Sequence, residues 1–91
     1  MELNFVKENE VYRATAVVAN DFNLHLEMVQ GGQVRIDVDS TSTGKYANAF
    51  IGQVYDDGIF DYDFDARVYP KQIRITTTSL VTKGVVTEVE A

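Results

Sequence analysis

Apolar and polar residues alternate strictly through most of this chain, and that rhythm restricts its fold more than any other feature. In F22-N-L-H-L-E-M28, Phe22, Leu24, Leu26 and Met28 alternate with Asn23, His25 and Glu27. In Q33-V-R-I-D-V-D39, Val34, Ile36 and Val38 alternate with Arg35, Asp37 and Asp39. A period of two puts one set of side chains on each face of a strand, whereas a helix needs apolar residues three and four apart. Valine, isoleucine, threonine and aromatic residues dominate, which suits half-buried pleated strands.

Turn-forming residues divide the chain at N9-E10, N20-D21, G31-G32, S40-T-S-T-G44, D56-D-G58, P70-K71 and K83-G84. These breaks predict about seven or eight strands at the spacing of sandwiches and barrels. The expected fold is an all-β antiparallel sandwich with Greek-key connections. A partly open barrel is the alternative. No repeat or linker is visible, and 91 residues suffice for a single domain over 1–91. Hydrophobic residues make up 45% of the chain, so a core forms without metal or disulfide staples.

Two turns suggest hairpins. A three-residue loop from Gln30 to Gly32 pairs Met28 with Val34 and Leu26 with Ile36. It also sets Glu27 opposite Arg35 and His25 opposite Asp37, two favourable cross-strand pairs. At Asp56-Asp57-Gly58 two registers remain open. A two-residue loop sets Tyr55 beside Phe60 and Ile51 beside Phe64. A three-residue loop sets Val54 beside Phe60, Phe50 beside Phe64, and Gly52 under Tyr62. One long strand is expected from Phe60 to Val68, stopped by Pro70. Ile73 and Ile75 continue the core, T76-T-T-S79 reads as an edge or solvent-facing strand, and Val85, Val86 and Val89 mark a closing strand.

The formal net charge of −6 disfavours nucleic acid and anionic membrane surfaces as partners. No apolar run approaches the ~20 residues of a membrane-crossing helix, and the opening M-E-L-N-F-V-K-E has no signal-peptide pattern. With no cysteine, thiolate zinc sites and cysteine nucleophiles are excluded. His25 is the single histidine, and no serine is placed to complete a triad with it. No phosphate-binding loop or dinucleotide fingerprint is present. The expectation is a protein that is not an enzyme and needs no cofactor.

Two acidic clusters merit scrutiny as cation sites. Asp61, Asp63 and Asp65 alternate with aromatic rings, but same-face residues on a strand lie roughly 6.5–7 Å apart. Calcium needs oxygens converging at about 2.3–2.6 Å. An EF-hand loop would also need glycine at Ala66 and glutamate at Gln72. Asp37 and Asp39, with the loop S40-T-S-T-G44, form a second candidate for Ca2+, in a pattern that also suits an ordinary turn. The acidic strand reads as a solvated face that would guard a sheet edge, or as a docking face for a basic partner. For carbohydrate, planar rings are required. Tyr46 and Tyr69 form the candidate ligand platform, side by side in the two-residue register, with Tyr12, Phe50 and Tyr55 as further rings.

The segments D21-F-N-L-H-L-E27, G31-G, G44-K-Y46 and V68-Y-P-K-Q-I-R-I75, in that order, resemble a set of small uncharacterised proteins in structural-gene cassettes of gut Bacteroidetes prophages. The similarity spans most of the chain. It implies a phage virion or assembly component, not a catalyst, and it transfers no site residues. The functional expectation is a structural or protein-interaction module that meets copies of itself or another protein. An extracytoplasmic carbohydrate- or ligand-binding module is the alternative.

Overall fold

The computed structural model describes residues 1–65 and 71–89. It holds eight strands: β1 (Val6–Glu8), β2 (Val11–Val18), β3 (Phe22–Met28), β4 (Gly32–Asp39), β5 (Ala47–Val54), β6 (Ile59–Phe64), β7 (Lys71–Thr77) and β8 (Val81–Glu88). They form two antiparallel sheets, ordered β1-β2-β7-β4-β5 and β6-β3-β8. The sheets are not closed into a barrel, so the protein is an all-β sandwich.

Alternation places the core as expected. Phe22, Leu24, Leu26 and Met28 of β3 face Val34 and Ile36 of β4, Ile73 and Ile75 of β7, and Ala16 and Val18 of β2, all buried. Fully burying one such side chain stabilises by about 1.5–3 kcal/mol. Val86 of β8 completes the small sheet's inner face, while Val89 lies beyond the strand and is exposed.

The strand pairing differs from the expected hairpins. β3 and β4 lie in different sheets, so Gly31-Gly32 turns an arch across the sandwich. Met28 and Leu26 meet the β4 core residues through the interior, not along a ladder. Glu27 is in register with Ile59 and Lys83 instead of Arg35, and His25 with Asp61 and Val85 instead of Asp37. Asp56-Asp57-Gly58 likewise joins β5 to β6 across the sheets, so neither proposed hairpin register is formed. The physical reason is shared: an arch and a hairpin both need a tight turn and both satisfy the same inward-facing residues.

Three boundaries also shift. β6 ends at Phe64 with Asp65 outside the strand, and the remainder of the expected strand, with Tyr69 and Pro70, lies outside the described residues. Thr76 and Thr77 belong to β7, which is flanked by β2 and β4 and is no edge. Thr77 is buried, and its hydroxyl donates to the Ser79 carbonyl at 2.9 Å. Lys83-Gly84 lies inside β8. The actual break is at Ser79-Leu80, where the Ser79 hydroxyl donates to the Gly31 carbonyl at 2.7 Å and the Val29 amide to the Leu80 carbonyl at 3.0 Å. Gly84 is needed for close packing, since a Cβ there would approach Phe5 Cε1 to 2.9 Å.

Candidate interaction faces

The outer face of the small sheet carries a continuous polar array. Period-two geometry on β3 turns Asn23, His25 and Glu27 away from the core, and antiparallel pairing brings Asp61 and Asp63 of β6 opposite them. His25 Nδ1 lies 2.9 Å from Asp61 Oδ2, and Nε2 lies 2.9 Å from Glu27 Oε2. Asn23 Nδ2 donates to Asp61 Oδ1 at 2.6 Å and to Asp63 Oδ1 at 2.9 Å. β8 sets Val85 against His25 and Lys83 against Glu27.

With a carboxylate at each ring nitrogen, only the doubly protonated imidazolium satisfies both contacts. Hydrogen bonds to Glu27 and then Asp61 raise the His25 pKa above its ordinary 6.5. Asp61 is held below the usual carboxylate value, first by Asn23 and then by His25. A raised histidine pKa gives stability that is complete below pH 6.5. That stability is lost as pH climbs through the higher folded-state value. Asp61 works in the opposite direction, its contribution fading as acid protonates it. Replacing Glu27 by glutamine and Asp61 by asparagine is therefore expected to lower the His25 pKa, read directly from its ring resonances in an NMR titration. A titration unchanged by both substitutions would refute the array.

The outer face of the large sheet is organised around a buried carboxylate. The side chain of Asp37 on β4 is only 3% exposed. It accepts from Arg35 Nε at 2.9 Å, Arg74 Nη2 at 3.2 Å and Asn48 Nδ2 at 3.3 Å. Burial pushes its pKa up, but these hydrogen bonds outweigh burial and hold it below the usual value. Arg74 is covered by Tyr46, whose ring centroid lies 4.2 Å from the guanidinium carbon. Arg74 Nε is buried and has no acceptor among the described residues. Replacing Asp37 by alanine strips Arg74 and Asn48 of their shared acceptor, with an expected loss of about 1–2 kcal/mol measurable by urea denaturation. The loss is smaller than for a wholly interior ion pair because Arg35 reaches water.

The second candidate loop uses its carboxylate internally. Asp39 Oδ1 accepts from the amides of Thr41 and Thr43 at 3.2 Å each, and Oδ2 from Gly44 at 2.7 Å. Positive φ at Ser42 and Gly44 curls the backbone so that amide hydrogens face inward. Burial raises the Asp39 pKa, but the amides of Gly44, Thr43, Thr41 and Ser42 bring it below the usual value. Asp37 and Asp39 thus lie on the large sheet, Asp61 and Asp63 on the small one, and Asp65 just past the end of β6. Among the described residues no three His, Asp or Glu side chains are grouped to share one ion. Tyr46 is engaged with Arg74, and its proposed companion Tyr69 lies outside the described residues.

A feature not recognised from the sequence lies where β5 and β6 border the sandwich. Phe50 sits between the sheets, with ring centroids 5.9 Å from Phe60, 5.3 Å from Tyr62 and 5.2 Å from Phe64. Tyr62 shares the inner face of β6 with Phe60 and Phe64 yet is 51% exposed, because the seam is open there. Ile51, Tyr55 and Ile59 on the same two strands and their arch are also more than half exposed. The signal available in the sequence was the uncharged run A47-N-A-F-I-G-Q-V54 beside an aromatic-rich strand.

No protein-family model, curated protein or solved structure matches this chain. Its own surfaces are therefore what bear on its function.

Proposed function

We propose that the protein is a non-enzymatic structural or interaction module that docks through the β5–β6 side of the sandwich, and that it serves as an assembly component of a phage particle. The observation carrying this reading is that β5, β6 and the arch between them leave Ile51, Tyr55, Ile59 and Tyr62 each more than half exposed, Ile51 on the outer face of the large sheet, Ile59 on the outer face of the small sheet and Tyr62 at the seam between them. Grouped exposed apolar side chains mark interaction surfaces more often than scattered ones do. The polar clusters support the same reading, since His25, Asp37, Asp39 and Asp61 are each committed to internal partners. The phage setting is supported only by the resemblance of the chain's segments to the prophage proteins.

The test is a photo-crosslinking amino acid at position 62 in the intact chain. Specific adducts with a copy or another protein, lost when Ile59 is replaced by aspartate, would support the reading. The absence of adducts in the native host, or turnover of a substrate by the purified chain, would overturn it. Capsid or tail genes beside the coding sequence would support the particle setting, and polysaccharide-uptake genes would favour the carbohydrate-binding alternative.

A further inference from the structure

Three of the chain's eight basic residues are arginines that share the outer face of the large sheet. Arg13 on β2 and Arg35 on β4 flank Thr76 of β7 in register, so one row across the sheet reads Arg13, Thr76, Arg35. The next row reads Thr15, Arg74, Asp37. Neighbouring strands lie about 4.8 Å apart, which sets the backbones of Arg13 and Arg35 roughly 10 Å from each other across β7.

Asp37 prearranges two of these arginines. One of its oxygens accepts from Arg35 Nε and the other from Arg74 Nη2. Arg13 leans over β7, with Nε 3.4 Å from Thr76 Oγ1 and Nη1 3.3 Å from Glu8 Oε2. The pair with Glu8 is exposed on both sides, so it is weak and open to exchange. A guanidinium carries five N–H donors. Among the described residues, no protein acceptor takes either terminal nitrogen of Arg35, or Nη2 of Arg13.

Two hollows meet at these arginines. One, of about 280 Å³, is lined by Arg13, Arg35 and Arg74 with Gln33, Thr76 and Thr78. The other, of about 440 Å³, shares Arg13 and Arg74 and adds Tyr46, Asn4, Glu8 and Thr15. Donors for an anion therefore adjoin an aromatic ring set among hydroxyl, amide and carboxylate groups.

We infer that the joined hollows bind a sugar bearing a carboxylate, of the uronic acid type, with the carboxylate held between Arg13 and Arg35 and the sugar ring in the hollow beside Tyr46. The lining selects this ligand. Guanidinium forks match a planar carboxylate. Polar side chains, both donors and acceptors, outnumber apolar ones in both hollows, which suits a polyhydroxylated ring better than the apolar side chains of a peptide. A peptide lying on a sheet face would also find no backbone edge to pair with. A nucleic acid would carry its charge past the arginines onto a chain of net charge −6. The site occupies the middle of the large sheet and does not depend on docking through the β5–β6 side.

The experiment is an NMR titration of the intact, isotope-labelled chain, following backbone amides and arginine Nε–H resonances. Digalacturonate is the probe. Cellobiose, a neutral disaccharide, and a capped Glu-Glu dipeptide are the comparisons. Digalacturonate should saturate with a Kd of about 1 mM and shift Arg13, Arg35, Arg74 and Thr76 most, and cellobiose should bind at least roughly tenfold more weakly for want of the charge-assisted contact. Arg35→Gln should weaken digalacturonate roughly tenfold and leave cellobiose unchanged. Arg35 is half exposed, and Asp37 keeps Arg74 and Asn48 without it, so the variant is expected to fold. Arg35→Lys, which keeps the charge but not the fork, should recover only part of the affinity. Cellobiose binding as tightly as digalacturonate would overturn the role given to the carboxylate. The dipeptide binding as tightly or more so would overturn the sugar and make this a peptide site. No shifts by about 20 mM, or shifts centred on His25 and Asp61, would overturn the site itself. Adducts from position 62 would stand in each of these cases, so failure here leaves the docking reading untouched.

Discussion

Replacing Leu24 by alanine is expected to lower the unfolding free energy by about 3–4 kcal/mol. Leu24 is wholly buried at the middle of β3, itself the middle strand of the small sheet. Tyr62 and Val86 lie beside it on the neighbouring strands. The truncation removes transfer free energy and leaves a cavity that flanking strands on both sides prevent from closing. Urea denaturation followed by circular dichroism gives the number. Val17→Ala supplies the contrast, since Val17 is 59% exposed and its truncation should change stability by less than about 0.5 kcal/mol. Equal losses from both would mean that the core is misplaced.

Gly58→Ala should cost about 3 kcal/mol for a different reason. Gly58 closes the arch between β5 and β6 with φ at +70°, a conformation that disfavours any side chain. Its amide donates to the Tyr55 carbonyl at 2.9 Å, and its carbonyl accepts from the Met28 amide at 2.8 Å. A Cβ at this position would collide with the Met28 carbonyl oxygen, which is backbone and cannot swing aside. Gly44 separates the two contributions. Its φ is +83°, but a Cβ there meets nothing within 4 Å. Gly44→Ala should therefore show the conformational cost alone, about 1 kcal/mol. The same denaturation series measures both, and equal losses would remove the backbone collision from the account.

The in-or-out assignment of side chains was legible in the sequence, and their partners were not. Alternation in F22-N-L-H-L-E-M28 places Leu24 and Leu26 inside whichever strand lies alongside. It is silent on whether Ile36 sits next to Leu26 in one sheet or faces it from the other. The complementary pairs Glu27–Arg35 and His25–Asp37 made the hairpin attractive, but polar residues facing outward find suitable charges in several registers. His25 finds Asp61 instead, 36 residues away. Glycine was similarly ambiguous. Lys83-Gly84 reads as a turn, while the structure uses Gly84 to let Phe5 and Leu3 approach β8. The threonine run reads as an edge, although Thr77 is interior because its hydroxyl finds a carbonyl at the next turn.

Of the candidate sites, the acidic clusters were legible as residues but not as networks. Asp37 depends on Arg74, which the chain delivers from 37 positions away.

Alternate crossing between the two layers also governs how the chain can reach this state. Every pairing within the three-stranded layer joins distant parts of the chain: β3 must find β6, and also β8, which comes much later still. During synthesis, Leu24 and Leu26 emerge long before Val86, and their layer stays unfinished until β8 has left the ribosome. Loop closure over such spans slows folding into the millisecond-to-second range typical of sandwiches. The nascent chain thus exposes Phe22, Leu24, Leu26 and Met28 throughout that wait, so yield in a cell should depend on chaperone capacity and elongation rate more than on the final free energy of the fold.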